Sequence, residues 1–456
     1  MYTNFQPIKH MKKFIHYTLA ISAFFFAFSG TYATNPVVNT FVPAPDNADG
    51  LDSDGSIMKY RRSSLYSVLI RHSKFPYGND IYEAFMSIPT PDKFNNHDCG
   101  PKTFESSMKK MKQKGKKKNM MNLYDIADFI RNNDIPRQMI AKWFNRNQEN
   151  GSFNLDLMLE RGFYDAQQLD IARAKVSSRG IQSLGDAGEE LIGKTFLLVN
   201  DITFIDKGKR SEKAGKAFQI LGGLTSAFTG GQNLGKTMGD AIQDIDGFTV
   251  NITSYLYRLD WSPDIAETFW SEYWVDDNDL NAAKKDAFNK SQLFSLSYVG
   301  QTTTSAENVS SKSMTKLSKS EQMKKVCARA IDKSIVQLQR EYDEFKVNVP
   351  IENVDMERRT VKVPIGLKEG INAKSKFTVL LKVQNEDGSY SYEKVGKLQP
   401  LKKRIWDNRF GALDEVPAKG ADNTAHLGAT TFRVLEGANK IVPGCLVRES
   451  TIKRAK

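Results

Sequence analysis

The sequence predicts an α+β protein with a helical N-terminal domain, a central α/β layer of mainly antiparallel strands, and a small C-terminal β-barrel. Three observations lead to this fold class. Apolar residues recur at helical spacing from residue 57 to about 175, long strand-like segments flank a glycine-rich insertion in the middle, and short strands separated by turns follow residue 345. A length of 456 residues is enough for two or three domains.

The predicted helical domain covers 57–177. Its first helix is assigned because Leu65, Val68 and Leu69 recur at helix spacing after a pair of serines. Further helices are predicted around 81–85, 123–130 and 136–144, the last beginning at a proline.

The predicted α/β domain covers 178–346. Strands are expected at 195–205, 248–259 and 293–304. A long helix from about Lys319 to Phe345 keeps one face apolar over about seven turns. Cys327 falls on that face, which predicts a buried structural thiol rather than a reactive one.

The C-terminal domain, 347–456, alternates short apolar runs with turn residues. Asp387-Gly388 between two such runs is a typical hairpin signal. Several short strands separated by glycine and proline favour a small barrel.

The N-terminal residues predict export. Lys12 and Lys13 precede an apolar run and a small-residue cleavage site ending at Ala33, so 1–33 is interpreted as a signal peptide and 34–56 as a flexible linker. The residue directly after Ala33 is not a cysteine, which favours a periplasmic or envelope-associated protein that is not a lipoprotein, and no later segment has membrane-spanning length. An oxidising compartment permits one disulfide among Cys99, Cys327 and Cys445, but their spacing does not select a pair.

The formal net charge is +12, and a lysine-rich segment, KKMKQKGKKK, concentrates positive charge. It predicts contact with an anionic surface component, with a solvated loop as the alternative. The segment has neither arginine nor interleaved aromatic residues, and export separates the protein from nucleic acid, so nucleic acid is not expected as a partner. The candidate contact residues are Lys109, Lys110, Lys112, Lys114, Lys116, Lys117 and Lys118.

A glycine-rich insertion, 207–246, contains the phosphate-loop pattern at Gly230 to Thr237. A working phosphate loop needs a buried strand before it and a helix after it. The residues before Gly230 lack a run of β-branched side chains, and only about two turns of helix could follow Thr237. Nucleotide binding is therefore kept as an alternative, and no cofactor is predicted.

The same insertion carries apolar residues that could contact a protein partner or a membrane. Polar residues interrupt them, so the competing interpretation is a glycine-rich excursion of a hairpin that is either flexible or tightly packed on its neighbour. The candidate contact residues are Phe218, Ile220, Leu221, Leu224 and Phe228.

One local cluster, His97-Asp98-Cys99, has the residue types of a nucleophile or metal site. Two candidate ligands and one aspartate are too few for a closed metal site, and no catalytic triad motif or zinc-protease motif accompanies them. We expect a non-enzymatic scaffold or binding protein, with an envelope hydrolase using His97 and nearby acids as the alternative.

Several segments resemble uncharacterised exported proteins of gut and oral Bacteroidetes, namely 61–70, 91–98, 160–166, 186–200, 365–380 and 405–410. That group implies no assigned activity. The segment 186–200 also resembles the periplasmic α/β domains of curli-secretion-channel and TolB-type proteins, although the lipid-anchoring cysteine of the curli family is missing. The segment from Gly366 to Leu380 resembles the small β-barrel of flagellar assembly T-type proteins.

Overall fold

The computed structural model describes residues 63–75, 77–91, 93–108, 116–165, 191–206, 248–278, 280–307, 318–346, 348–384, 390–414 and 422–450. All of them belong to one compact unit, Lys59–Lys456. The predicted signal peptide and linker, 1–33 and 34–56, lie outside the described residues.

The first sheet is mixed, and six strands of it lie within the described ranges. They are β1 (Ser63–Arg71), β2 (Phe94–Asn96), β3 (Thr103–Glu105), β4 (Thr195–Asp206), β5 (Phe248–Leu259) and β6 (Leu296–Glu307). The strand order is β2-β1-β4-β5-β6, and β3 also pairs with β1. β1 is parallel to β2, β3 and β4, whereas β5 is antiparallel to both of its neighbours.

The helix predicted over Leu65 to Leu69 is wrong, because these residues form the middle of β1. Alternate side chains of β1 enter two different cores: Tyr66 and Val68 pack on one face of the sheet, and Leu65 and Leu69 pack on the other. A strand covered on both faces is apolar at consecutive positions, and such a run matches helix spacing by accident.

Helices cover both faces of this sheet, and the fold class is α+β, as predicted. The α-helices of the described residues are α1 (Gly78–Met86), α2 (Lys116–Asn132), α3 (Ile135–Trp143), α4 (Asp156–Asp165), α5 (Pro263–Thr268), α6 (Ala282–Lys290) and α7 (Lys319–Glu341). The helices predicted around 81–85, 123–130 and 136–144 are confirmed as α1, α2 and α3.

One face of the sheet is covered by α2, α3 and an aromatic segment that follows β5. The Phe144 and Phe269 rings stack with centroids 4.3 Å apart, and the Phe153 and Phe288 rings meet edge-on at 5.1 Å. Stacked and edge-on pairs are the favoured geometries of aromatic contacts, so this core has a defined arrangement.

The opposite face is covered by α1 and α7. A capping box at Ser318 and Glu321 begins α7, because each residue bonds the backbone N–H of the other. The predicted apolar stripe of α7 is confirmed, and Cys327 lies in it, fully buried. Burial raises the pKa of the Cys327 thiol to about 12, and all three cysteines of the chain are free.

The C-terminal sheet is antiparallel and barrel-like, as predicted. Its strands are β7 (Val349–Pro350), β8 (Asn353–Asp355), β9 (Thr360–Val363), β10 (Phe377–Gln384), β11 (Tyr390–Pro400), β12 (Thr430–Glu436) and β13 (Leu446–Glu449), in the order β7-β13-β10-β11-β12-β9-β8. β10 and β11 pair from Phe377 to Gln384, as the hairpin signal between them predicts. Phe377 and Phe432 meet edge-on at 5.2 Å in the core.

The polar face of α7 joins the two sheets. Arg340 donates two hydrogen bonds to the carboxylate of Glu449 in β13, at 3.0 and 2.8 Å. Toward β6, the Lys333 ammonium donates to the carbonyl of Ser305 at 2.9 Å, and the Tyr342 hydroxyl accepts from the Gln301 N–H at 3.3 Å.

Candidate functional site

A buried carboxylate, that of Asp201 in the middle of β4, lies beside the carboxyl end of β1. Parallel pairing places Ile70 opposite Asp201, so His72, just beyond β1, reaches the same carboxylate. His72 Nε2 lies 2.8 Å from Asp201 Oδ1, and the Lys118 ammonium lies 2.5 Å from Oδ2. Asn122, one turn after Lys118 in α2, donates to Oδ2 at 2.8 Å. We name His72, Lys118, Asn122, Asp201 and Tyr255 the anionic cluster.

Asp201 remains a carboxylate. Burial alone would raise its pKa, but the hydrogen bond from His72 and the charge of Lys118 outweigh burial and lower it. Asn122 also donates to the Tyr255 hydroxyl at 3.0 Å, and burial raises the pKa of that phenol. The Asp201 side chain is fully buried and accepts from three donors, so the cluster fastens the first turns of α2 to the sheet.

The lysine-rich segment enters α2 at this point. Lys118, predicted to contact an anionic surface, instead pairs inside the protein with Asp201. Lys117 is exposed, and Lys116 is the first residue of α2. The candidate residues Lys109, Lys110, Lys112 and Lys114 lie outside the described residues.

The solvent face of α2 carries two large apolar side chains next to Lys117. Met120 is 55% exposed and Tyr124, one turn later, is 66% exposed. A tyrosine and a methionine beside lysines make an amphipathic surface of the kind found at membrane and protein interfaces.

A second buried cluster lies at the amino end of β1. His97 is fully buried; its Nε2 donates to the Met139 carbonyl at 3.0 Å, and its Nδ1 accepts from Arg161 Nη1 at 2.9 Å. Burial and the Arg161 charge hold the pKa of His97 well below its usual value. His97 is therefore a neutral imidazole with both nitrogens engaged, a geometry typical of a structural histidine.

Arg161 of α4 is a buried cation. It is only 4% exposed, donates to the Ser64 hydroxyl at 2.9 Å and the Asn96 carbonyl at 3.1 Å, and lies 4.4 Å above the Trp143 ring. Among the described residues no carboxylate comes within ion-pair distance of it. Burial lowers its pKa to about 10. We name Ser64, His97, Trp143 and Arg161 the cationic cluster.

The two neighbours of His97 do not complete a nucleophile site. The Asp98 carboxylate pairs with the Lys102 ammonium at 2.7 Å. Cys99 is half-buried, and burial is the main reason why the pKa of its thiol is raised to about 12. A thiol with so high a pKa is protonated at neutral pH and is a weak nucleophile.

A cleft of about 620 Å³ opens beside Cys99 on the surface of α3. Among the described residues, its walls contain three cationic side chains and no acidic one. We name it the basic cleft. The lining residues are Cys99, Arg137, Gln138, Ala141, Lys142, Asn145, Arg146, Gln148 and Phe288.

The structure also tests the strands on either side of the glycine-rich insertion. β4 and β5 pair continuously to the pair of Asp206 with Phe248. The insertion at 207–246 lies outside the described residues, and so do the phosphate-loop match and the candidate contacts Phe218, Ile220, Leu221, Leu224 and Phe228.

His97 stands out in the sequence, whereas the anionic cluster and the basic cleft have no local sequence pattern that predicts them. Within the described ranges, three or more metal-ligating side chains do not meet at any point, and no helix is both long and apolar enough to cross a bilayer. Comparison with protein-family models matches no family, and comparison with curated proteins finds no matching relative.

Proposed function

We propose that this is an exported, non-catalytic binding protein of the periplasm or outer envelope that contacts an anionic envelope component. One observation carries the proposal: the exposed face of α2, formed by Lys117, Met120 and Tyr124, directly continues the lysine-rich segment. Seven lysines occur between 109 and 118, so one short stretch supplies most of the local positive charge.

The anionic cluster supports this role mechanically. Because Lys118 and Asn122 are both bonded to Asp201, the start of α2 is fixed on the sheet and its opposite face turns to solvent. Lysines near an anionic surface contribute about 1 kcal/mol each, and a tyrosine is favoured where an apolar surface meets water. The buried, fully bonded state of His97 supports a binding role over hydrolysis.

Co-sedimentation of the purified chain with lipid vesicles tests the proposal. We expect binding to vesicles that contain phosphatidylglycerol, no binding to phosphatidylcholine alone, and weakening as salt screens the charges. Changing Lys109, Lys110 and Lys112 to glutamine should weaken binding, and so should Met120→Ser with Tyr124→Ser. Changing the exposed Lys402 and Lys403 to glutamine removes charge elsewhere and is the matched control. Equal binding to both vesicle types would contradict the proposal.

The glycine-rich insertion is the second proposed contact, with a protein partner. Its support is the unbroken pairing of β4 with β5 up to Asp206 and Phe248, which leaves the insertion between two paired strand ends. Deleting 214–240 should therefore leave the unfolding curve unchanged and abolish a partner cross-link formed in the native envelope. A cross-link that survives the deletion would rule out this contact.

A further inference from the structure

Arg146, in the wall of the basic cleft, is a cation without a counterion in the described part of the chain. Its Nη2 donates to the neutral side-chain oxygen of Asn289 at 2.9 Å. No carboxylate of the described residues forms an ion pair with it, and its buried Nε has no hydrogen-bond partner. A guanidinium left in this state retains donors for a ligand.

Aromatic rings hold the Arg146 guanidinium in place. It lies 4.9 Å above the Phe288 ring and 5.7 Å from the centroid of Phe153. Phe288 is itself almost fully buried, so the Arg146 guanidinium packs against a ring that is held in place by the core. An arginine held in this way loses little side-chain entropy when it binds a ligand.

The other cations of the cleft are only partly neutralised. Arg137 pairs with Asp134 at 2.5 Å and also lies 5.7 Å from the Phe288 ring. Lys142 donates to the backbone carbonyl of Asp98 at 2.7 Å, a neutral acceptor. Burial and the charge of Arg161 lower the pKa of Lys142, and burial and Arg137 lower that of Arg146. The positive charges therefore repel one another across the cleft, and an anion would relieve that repulsion.

The chemistry of the lining defines the ligand. A planar guanidinium beside an ammonium matches the oxygens of a carboxylate or a phosphate. The amides of Gln138, Asn145 and Gln148 add neutral donors and acceptors, and the volume is within the range of small-molecule sites.

We propose that the basic cleft binds a small ligand through a carboxylate or phosphate group held by Arg146, with Lys142 as the second cation. This site is separate from the face of α2 and does not depend on the proposed surface contact. Carboxylate and phosphate share the recognition chemistry, and the two probes below distinguish them.

Calorimetric titration of the purified full-length chain with inorganic phosphate and, separately, with citrate tests the site. We expect one of the two to bind with a Kd of about 1 mM or lower. Arg146→Gln should weaken that binding roughly ten-fold or more, because a charge-assisted hydrogen bond is lost. Arg146→Lys keeps the positive charge but removes the planar guanidinium with its parallel N–H donors. It should therefore also weaken binding, but by less than Arg146→Gln.

Arg131→Gln is the matched control, because Arg131 is an exposed arginine of α2 paired with Asp128 and lies outside the cleft. It should leave the titration unchanged. Thermal unfolding of each variant shows whether it is folded, and Arg146→Lys keeps the test valid if Arg146→Gln unfolds. Failure of both anions to bind at millimolar concentration would overturn the proposal, and so would equal binding by wild type and the Arg146 variants. Vesicle binding should be the same in wild type and Arg146→Gln, so failure here leaves the proposed function standing.

Discussion

The two ends of β1 solve the same problem of buried charge in opposite ways. At the carboxyl end, the buried Asp201 carboxylate is matched by the Lys118 ammonium and by His72. At the amino end, the buried Arg161 guanidinium has neutral partners: Ser64, His97 and a backbone carbonyl. Charge at the first end is neutralised internally, whereas charge at the second end remains and adds to the potential of the nearby basic cleft.

Removing the carboxylate should produce the largest effect. Asp201→Ala leaves the Lys118 ammonium, His72 and Asn122 without their common acceptor, so the free energy of unfolding should fall by about 3–5 kcal/mol. Urea denaturation measures this loss. Asp128→Ala removes an exposed carboxylate that pairs with Arg131 on α2, and it should cost only about 0.5 kcal/mol. An equal decrease in the free energy of unfolding for the two variants would show that the anionic cluster contributes no more to stability than an exposed ion pair does.

Removing the buried guanidinium should cost less. Arg161→Met leaves neutral groups unpaired at Ser64 and His97 but also removes a desolvated charge, so we expect a loss of about 1–3 kcal/mol by urea denaturation. The pKa of Lys142 should also rise, because one of the charges that lowers it is gone. Nitrogen-detected NMR of the lysine side chains can follow this titration. An unchanged Lys142 pKa would show that the charge of the cationic cluster does not affect the basic cleft.

The two ends should also respond to acid in different pH windows. Both Asp201 and His97 have folded-state pKa values below their usual ones, so the unfolded chain binds protons more readily and stability falls as pH falls. For His97 the loss begins near pH 6.5, and for Asp201 it begins only near pH 3.9. From pH 7 to 5, His97 should contribute up to about 1.4 kcal/mol per pH unit.

The difference between wild type and His97→Gln isolates this contribution. A difference is needed because burial raises the pKa of Glu352 to about 7, which gives an opposite slope in the same range. Unfolding free energies of both proteins at several pH values provide the measurement. Parallel curves from pH 7 to 5 would mean that His97 does not titrate on unfolding in this range.

The smallest expected effect on stability is the difference between substitutions of two adjacent lysines, Lys118 and Lys117. Lys118→Gln weakens the contact with Asp201 and should cost about 1 kcal/mol, since the side chain is partly exposed and other donors remain. Lys117→Gln alters an exposed side chain and should change stability by less than about 0.5 kcal/mol. Urea denaturation of the two variants compares them directly. A larger loss of stability for Lys117→Gln than for Lys118→Gln would show that the Lys118 contact with Asp201 is not what holds α2 on the sheet.

The long elements of the fold were predictable from sequence because their patterns are local. α7 shows its apolar stripe, and β4 to β6 show strand composition without reference to any other segment. β1 was misassigned because burial on both faces removes the alternation that identifies a strand. Mixed strand direction was also hidden, since parallel pairing of β1 with β4 joins residues more than a hundred positions apart.

The sites depend on contacts that no local pattern contains. The Asn200-Asp201 pair inside an apolar strand was the available signal for a buried polar cluster. Its partner His72 is 129 residues away, and the partner of His97, Arg161, is 64 residues away. The basic cleft unites Arg146, in the loop that follows α3, with Phe288 of α6, which is far away in sequence.

The edge strand β6 has a consequence for the behaviour of the protein at high concentration. It is twelve residues long and contains neither proline nor lysine, the usual guards against edge-to-edge aggregation. Instead, the side chains of Tyr342 and Lys333 form hydrogen bonds with the backbone N–H of Gln301 and the backbone carbonyl of Ser305. The neighbouring Gly300 makes this possible, because a Cβ there would lie 2.1 Å from the Tyr342 hydroxyl oxygen. At these points the side chains near the end of α7 take the place that a strand from another molecule would need.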